Sequence, residues 1–111
     1  MTFGISVEKI NQLAQKKKTA KIIPHTKAKD PSIRMAAIRA LGTSGGDEAF
    51  NKLTQFLNST NAQERAAAAE ALGTLGRSQA RSFLSYYIDR ETDSNVVRSM
   101  KMAMGKLDQT K

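Results

Sequence analysis

Residues 30–45, DPSIRMAAIRALGTSG, return 31 positions later as residues 61–76, NAQERAAAAEALGTLG, with an Arg, a run of small apolar residues, Ala-Leu-Gly-Thr and a closing Gly in register. A period of this length means that each unit buries its apolar face against its neighbours, so the chain must fold as a linear stack of like units. The unit reads as a helical hairpin. Its second helix starts at a polar cap: Asp30 precedes Pro31 at the first helical position, and Asn61 precedes Glu64 by three residues in a capping-box variant. Gly42 and Gly73 are the expected left-handed stops of these helices.

The first helix of the unit is clearest in the second copy, where Ala49, Phe50, Leu53, Phe56 and Leu57 recur at helical spacing. The same period leads to Ala80, Leu84, Tyr87 and Ile88, with Arg81 in place of Phe50, so a third unit follows. Its second helix, SNVVRSMKMAMGKL, fits with one residue inserted in the loop DRETD. Ile33 then aligns with Val96 and Gly42 with Gly105, and Val96, Met100, Ala103, Met104 and Leu107 share one face. In the first unit Pro24 removes a backbone donor and should break or kink the helix near Ile23. Upstream, ISVEKINQLAQ has its own start, with Ser6 as cap and Ile5 and Ile10 placed as a hydrophobic staple, which predicts an additional helix over 6–15. The stretch QKKKTA contains no Gly or Pro, leaving open whether residues 6–28 form one kinked helix or two. The expected organisation is one domain over 1–111, with units at about 17–45, 46–76 and 77–107.

The pattern D-P-x-[VI]-R-x-A-A-x-x-A-L-G-x-x-G, carried by DPSIRMAAIRALGTSG and largely by ERAAAAEALGTLG, resembles the short HEAT-like repeats of the phycobilin lyase type over roughly residues 17–107. The resemblance implies an all-α, right-handed superhelix (solenoid) of about three HEAT-like helical hairpins plus an N-terminal helix. It also implies that the second helices line the concave side, and that the motif's Asp and Arg brace the inter-helix loop and the adjacent unit. Those positions are Asp30 and Arg34, then Asn61 and Arg65; the third unit departs, with Val97 at the Arg position and Arg98 displaced by one. Function stays open at this point, because such repeats occur in scaffolds, chromophore lyases, a hydroxylase and DNA glycosylases.

Composition removes several classes of chemistry. The chain has no Cys, so neither a disulfide framework nor a Cys-bearing metal site is available, and nothing argues for an oxidising compartment. The first residues lack the pattern of a secretory leader and no stretch approaches the roughly 18 apolar residues of a membrane span, so a cytoplasmic protein is expected. His25 is the only histidine and no His-Glu dipeptide occurs, so no metal or cofactor is expected. At the 31-residue period His25 aligns with Phe56 and Tyr87, which reads as a half-buried seam position. Gly45-Gly46 lies between helices without the Lys-Ser/Thr of a phosphate loop, and no Ser, Thr or Lys has a base beside it at helical spacing. No catalytic residues are predicted.

Binding is therefore the expected function. Residues 1–45 hold nine Lys or Arg against Glu8 and Asp30, so they carry +7 of the chain's net +8. Lys16, Lys17, Lys18 and Lys21 form a basic patch that could follow phosphates, which makes non-specific, salt-sensitive nucleic-acid binding the alternative reading. The leading reading is a scaffold that uses the concave side. Taking Ile33, Ala36, Ala37, Ala40 and Leu41 as the buried face, the opposite side is Met35, Ile38 and Arg39, with equivalents Ala66, Ala69 and Glu70, then Arg98, Lys101 and Met102. Stacked, these predict an alanine-floored groove with thioethers and basic edges, suited to an acidic helix or peptide. Met100, Met102 and Met104 in the last helix leave it without an evident polar cap, which suggests docking or self-association through that unit. A distant third reading is a subunit of a chromophore lyase or chaperone.

Overall fold

A computed structural model describes residues 4–109; the two ends of the expected 1–111 domain lie outside these. The helices are α1 (Val7–Gln15), α2 (Thr19–Ile22), α3 (Pro31–Ser44), α4 (Asp47–Phe56), α5 (Ala62–Leu75), α6 (Ala80–Ile88) and α7 (Ser94–Gln109). A 3-10 segment, Ile23–Lys27, continues α2. The fold is an all-helical solenoid of two layers. Helices α1, α3, α5 and α7 pack side by side in an inner row, and α2 with its 3-10 extension, α4 and α6 form the outer row. The shortest dimension, 17 Å, is what two helix layers with axes about 8–10 Å apart require. Among the described residues, no helix is long and apolar enough to cross a membrane.

The N-terminal segment divides at a lysine. Lys17 has φ 60°, and its N–H and that of Lys18 bond back to the carbonyls of Ala14 and Leu13 in a Schellman closure, the role usually given to glycine. The left-handed lysine is stabilised from its far end, where Nζ donates to the Thr43 carbonyl at 2.7 Å, on the last turn of α3. Thr19 Oγ1 adds hydrogen bonds to Ser44 Oγ and the Gly45 carbonyl. Thus α1 and α2 are separate helices, and α1 sits in the inner row beside α3. Pro24 then converts the end of α2 into a 3-10 turn.

The glycines of the repeat do a different task from the one expected. Gly42 and Gly73 lie inside α3 and α5; the helices end at Gly45 (φ 79°) and Gly76 (φ 80°), again 31 residues apart. What Gly42 and Gly73 provide is closeness between helices. A Cβ on Gly42 would stand 2.6 Å from the Ala71 carbonyl oxygen, and one on Gly73 would stand 3.1 Å from the Ala103 Cα. Helix α5 therefore carries a glycine notch on one side and, on the other, an alanine that enters the notch of α3.

This placement corrects the assignment of helix faces. α3 and α5 are each flanked by an inner helix on both sides and covered by the outer row, so three of their sides are buried. Met35, Ile38 and Ala69, expected on the open side, are buried in the junctions, and Ala66 is half-buried. The last helix is corrected too. Met100 is fully buried and Met104 packs against the core, while the side of α7 turned away from α5 carries Arg98, Lys101 and Gly105. Charge thus stands where Met35 and Ile38, or Ala66 and Ala69, are covered in the earlier helices, and α7 has a polar outer side after all.

The three equivalent glycines give a graded test. Gly→Ala favours a helix interior by about 0.5–1 kcal/mol where there is space. No atom lies within 4 Å of a Cβ at Gly105, so Gly105→Ala should raise the melting temperature. Gly42→Ala must displace the α5 backbone and should lower stability by about 1–3 kcal/mol, with Gly73→Ala between them. Thermal unfolding of the three variants checks the order; equal effects would contradict the notches.

Candidate functional site

Close approach of the inner helices leaves a shallow groove along their exposed side. Between α3, α5 and α7 it encloses about 380 Å3, with Ala71 and Ala103 in its floor and Arg39, Thr43, Glu70, Thr74, Met102 and Lys106 along its sides. A second stretch of about 250 Å3 continues over α1 with Asn11, Ala14 and Gln15, sharing Arg39 and Thr43. The groove therefore crosses all four inner helices. It follows the repeat: positions 39, 70 and 102, 40, 71 and 103, and 43, 74 and 106 are equivalents in successive units.

Of the predicted concave residues, the structure brings Arg39, Glu70 and Met102 together in the groove. Met102 is 62% exposed. Arg39 Nε donates to Glu70 Oε1 at 3.0 Å, but both side chains are about half exposed, so the pair contributes little to stability and can exchange for other partners. Arg98 and Lys101 are exposed on the outer side of α7, outside the groove lining. Sequence reasoning missed Thr43, Thr74, Ser99 and Lys106. They were findable, because small or polar residues recur at these positions in helices that are otherwise apolar.

A second, partly buried ladder links successive units. Arg34 Nη1 donates to the Ala28 carbonyl at 2.8 Å and Nε to Glu64 Oε2 at 2.8 Å. One unit on, Arg65 Nη1 donates to the Ser59 carbonyl, and Nε and Nη2 grip the two carboxylate oxygens of Glu91 at 2.8 and 2.9 Å. Each arginine thus ties its own inter-helix loop to the next unit. Asp30 acts as cap for α3, accepting from Ser32 N–H, and Asn61 caps α5 by accepting from Glu64 N–H. The Glu64 side chain does not close a capping box. It serves Arg34 and accepts from Ser59 Oγ, which in turn accepts the Asn61 N–H. At the third position Val97 makes no such link.

The four lysines of the basic patch are exposed, but only three remain free for an anion. Lys17 is occupied by the Thr43 carbonyl, whereas Lys16, Lys18 and Lys21 pair with no carboxylate among the described residues. They stand at the α1–α2 corner. His25 is half-buried, as its alignment with Phe56 and Tyr87 predicts. On the outer row, Phe50 and Phe83 meet edge to face at 5.9 Å, and Arg90 lies 3.6 Å over the Tyr86 ring. Among the described residues no group of three His, Cys, Asp or Glu converges to hold a metal ion.

A family model for HEAT repeats matches residues 5–72 and again 50–111, the span of these stacked helices. The chain belongs to the HEAT-repeat family. The first match begins before α1, in keeping with the place of that helix in the inner row of this HEAT-repeat stack. A search of curated proteins finds no match to the chain. HEAT repeats in general mediate contacts between proteins, so the exposed side of the inner row is the surface to consider.

The two ladders predict different coupling energies. The Arg65 and Glu91 side chains are 19% and 5% exposed, and a double-mutant cycle on this pair should return about 1.5–3 kcal/mol, against about 0.2–1 kcal/mol for Arg39 with Glu70. The hydrogen bonds from Arg65 hold the Glu91 carboxyl below the ordinary carboxylate range, against an opposing push from burial. A depressed folded pKa stabilises above the unfolded value and loses that contribution as pH falls through the folded one. Acid titration of stability should therefore be flatter in Glu91→Gln than in the wild type, and a parallel pair of curves would refute the role of Glu91.

Proposed function

We propose that this HEAT-repeat protein is a non-catalytic, cytoplasmic binding module that takes an acidic peptide or helix of another protein along its concave groove. The observation that supports this most is the continuous groove over four inner helices, floored by alanine and walled by adaptable or exchangeable groups. Ala71 and Ala103 let a partner come close to the helix backbones, and Met102 offers an exposed thioether that can repack around different side chains. Arg39 and Lys106 favour carboxylates over basic partners. Thr74→Arg and Met102→Glu should each reduce capture of the native partner about tenfold or more while leaving the helical spectrum and melting temperature unchanged, since exposed helix positions tolerate such changes within about 0.5 kcal/mol. Ser85→Arg on the exposed outer row should do neither. Full capture by both groove variants would remove the reading.

A second reading rests on the lysines without carboxylate partners at the α1–α2 corner. If Lys16, Lys18 and Lys21 follow phosphates, an oligonucleotide of mixed sequence should bind with a salt slope that falls by about 0.9 per lysine removed. Changing the three together to Glu should abolish the binding, and lack of wild-type binding at low salt would end this alternative.

A further inference from the structure

The outer side of α7 raises a question that neither the groove nor the loop brace answers. Gly42 meets α5 and Gly73 meets α7, and by helical periodicity the stripe that carries each glycine includes the residues seven and four positions before it, Met35 and Ile38 in α3 and Ala66 and Ala69 in α5. The equivalents on α7 are Arg98, Lys101 and Gly105, all exposed. Arg98 has only a 3.3 Å contact with Asn95 Oδ1, and Lys101 has no partner among the described residues. Gly105 has ordinary helical geometry and nothing near its missing Cβ, so within the chain it weakens α7 with no packing gain in return.

We infer that the Arg98–Lys101–Gly105 side of α7 is a second docking surface, and that its occupant is an acidic α-helix of another protein carrying a small residue where it crosses Gly105. The class of occupant follows from the two junctions already filled. What sits on this side of α3 and of α5 is a helix, and it meets the notch at an alanine, with the backbone of Ala71 against Gly42 and the Cα and methyl group of Ala103 against Gly73. Its charge follows from the change at the flanking positions, where apolar residues give way to two cations. The register follows from the α3–α5 notch: with Ala71 at Gly42, positions 64 and 67 of the parallel helix α5 fall level with Met35 and Ile38, the equivalents of Arg98 and Lys101. A matching helix therefore places acidic residues seven and four positions before its alanine, so that they meet Arg98 and Lys101. A second copy of this chain fits less well, because α7 is itself net positive and so is the N-terminal half. The groove occupies the neighbouring side of α7, through Ser99, Met102, Ala103 and Lys106.

The test uses the full chain and a fluorescent, hydrocarbon-stapled peptide with the sequence of residues 62–75 carrying Ala67→Glu, which presents carboxylates at positions 64 and 67 and the methyl group of Ala71 along one side. The wild type should bind it, and Gly105→Leu or the pair Arg98→Glu with Lys101→Glu should weaken binding about tenfold or more. Gly105→Ala gives the sharper result: it should raise the melting temperature yet lower affinity for the peptide, a combination that a purely structural glycine does not produce. Thr74→Arg in the groove, on α5, should leave this binding intact, which separates the outcome from that of the concave surface. The inference is overturned if the peptide does not bind at low ionic strength, or if a control peptide with lysine at both acidic positions binds as well. It is also overturned if sedimentation shows a dimer that Gly105→Leu dissolves, which would make a second copy the occupant.

Discussion

The glycine notch is the contact from which the shape of this stack follows. Where Gly42 and Gly73 receive Ala71 and Ala103, the axes of the inner helices come together as closely as backbones allow. The outer row has no equivalent device. Its helices carry Phe50, Phe56, Phe83, Tyr86 and Tyr87, and α4 reaches α6 through rings whose centres are 5.9 Å apart. Small residues therefore lie between the inner helices and large ones between the outer helices, and the inner alanines form the floor of the groove.

The arginine brace fixes what the notch alone would leave loose. A glycine–alanine contact is smooth and gives little resistance to sliding, whereas a bidentate guanidinium–carboxylate pair has a defined geometry. Arg65 with Glu91 locks the α5–α7 junction at its N-terminal end, while the notch acts near the C-terminal end. Arg34 with Glu64 does the same one unit earlier. Together the two contacts determine both the distance and the rotation between neighbours.

Much of this was legible in the sequence. The period identified the hairpins, the caps at Ser6, Asp30 and Asn61, and the positions of Arg34 and Arg65 within them. Face assignment was less so, and the reason is physical. A single apolar stripe describes a helix covered on one side, but α3 and α5 are covered on three, so Met35, Ile38 and Ala69 could not be told from open positions by periodicity. Only comparison along the row separates them: the charges at Arg98 and Lys101 mark the side that is covered elsewhere. The lysine turn was unreadable for another reason, since the stabilising partner of Lys17 lies 26 residues away in the chain. Glu91 escaped because it lies in the loop before α7, whereas Glu64 lies in the first turn of α5, and the position equivalent to Glu64 is Val96.

The brace also has a direction. Each arginine reaches forward to the next unit, and neither a brace nor a glycine notch joins α1 to α3. In a linear array, where stability is a sum of local and nearest-neighbour contributions, unequal junctions make a gradient. The α1–α2 end, held by Ile10, Leu13, Ala14 and the Lys17 and Thr19 hydrogen bonds, should then open first, with amide protons there exchanging before those of α5. The lysine-rich end of the molecule is therefore also the end whose detachment would disturb the rest of the stack least.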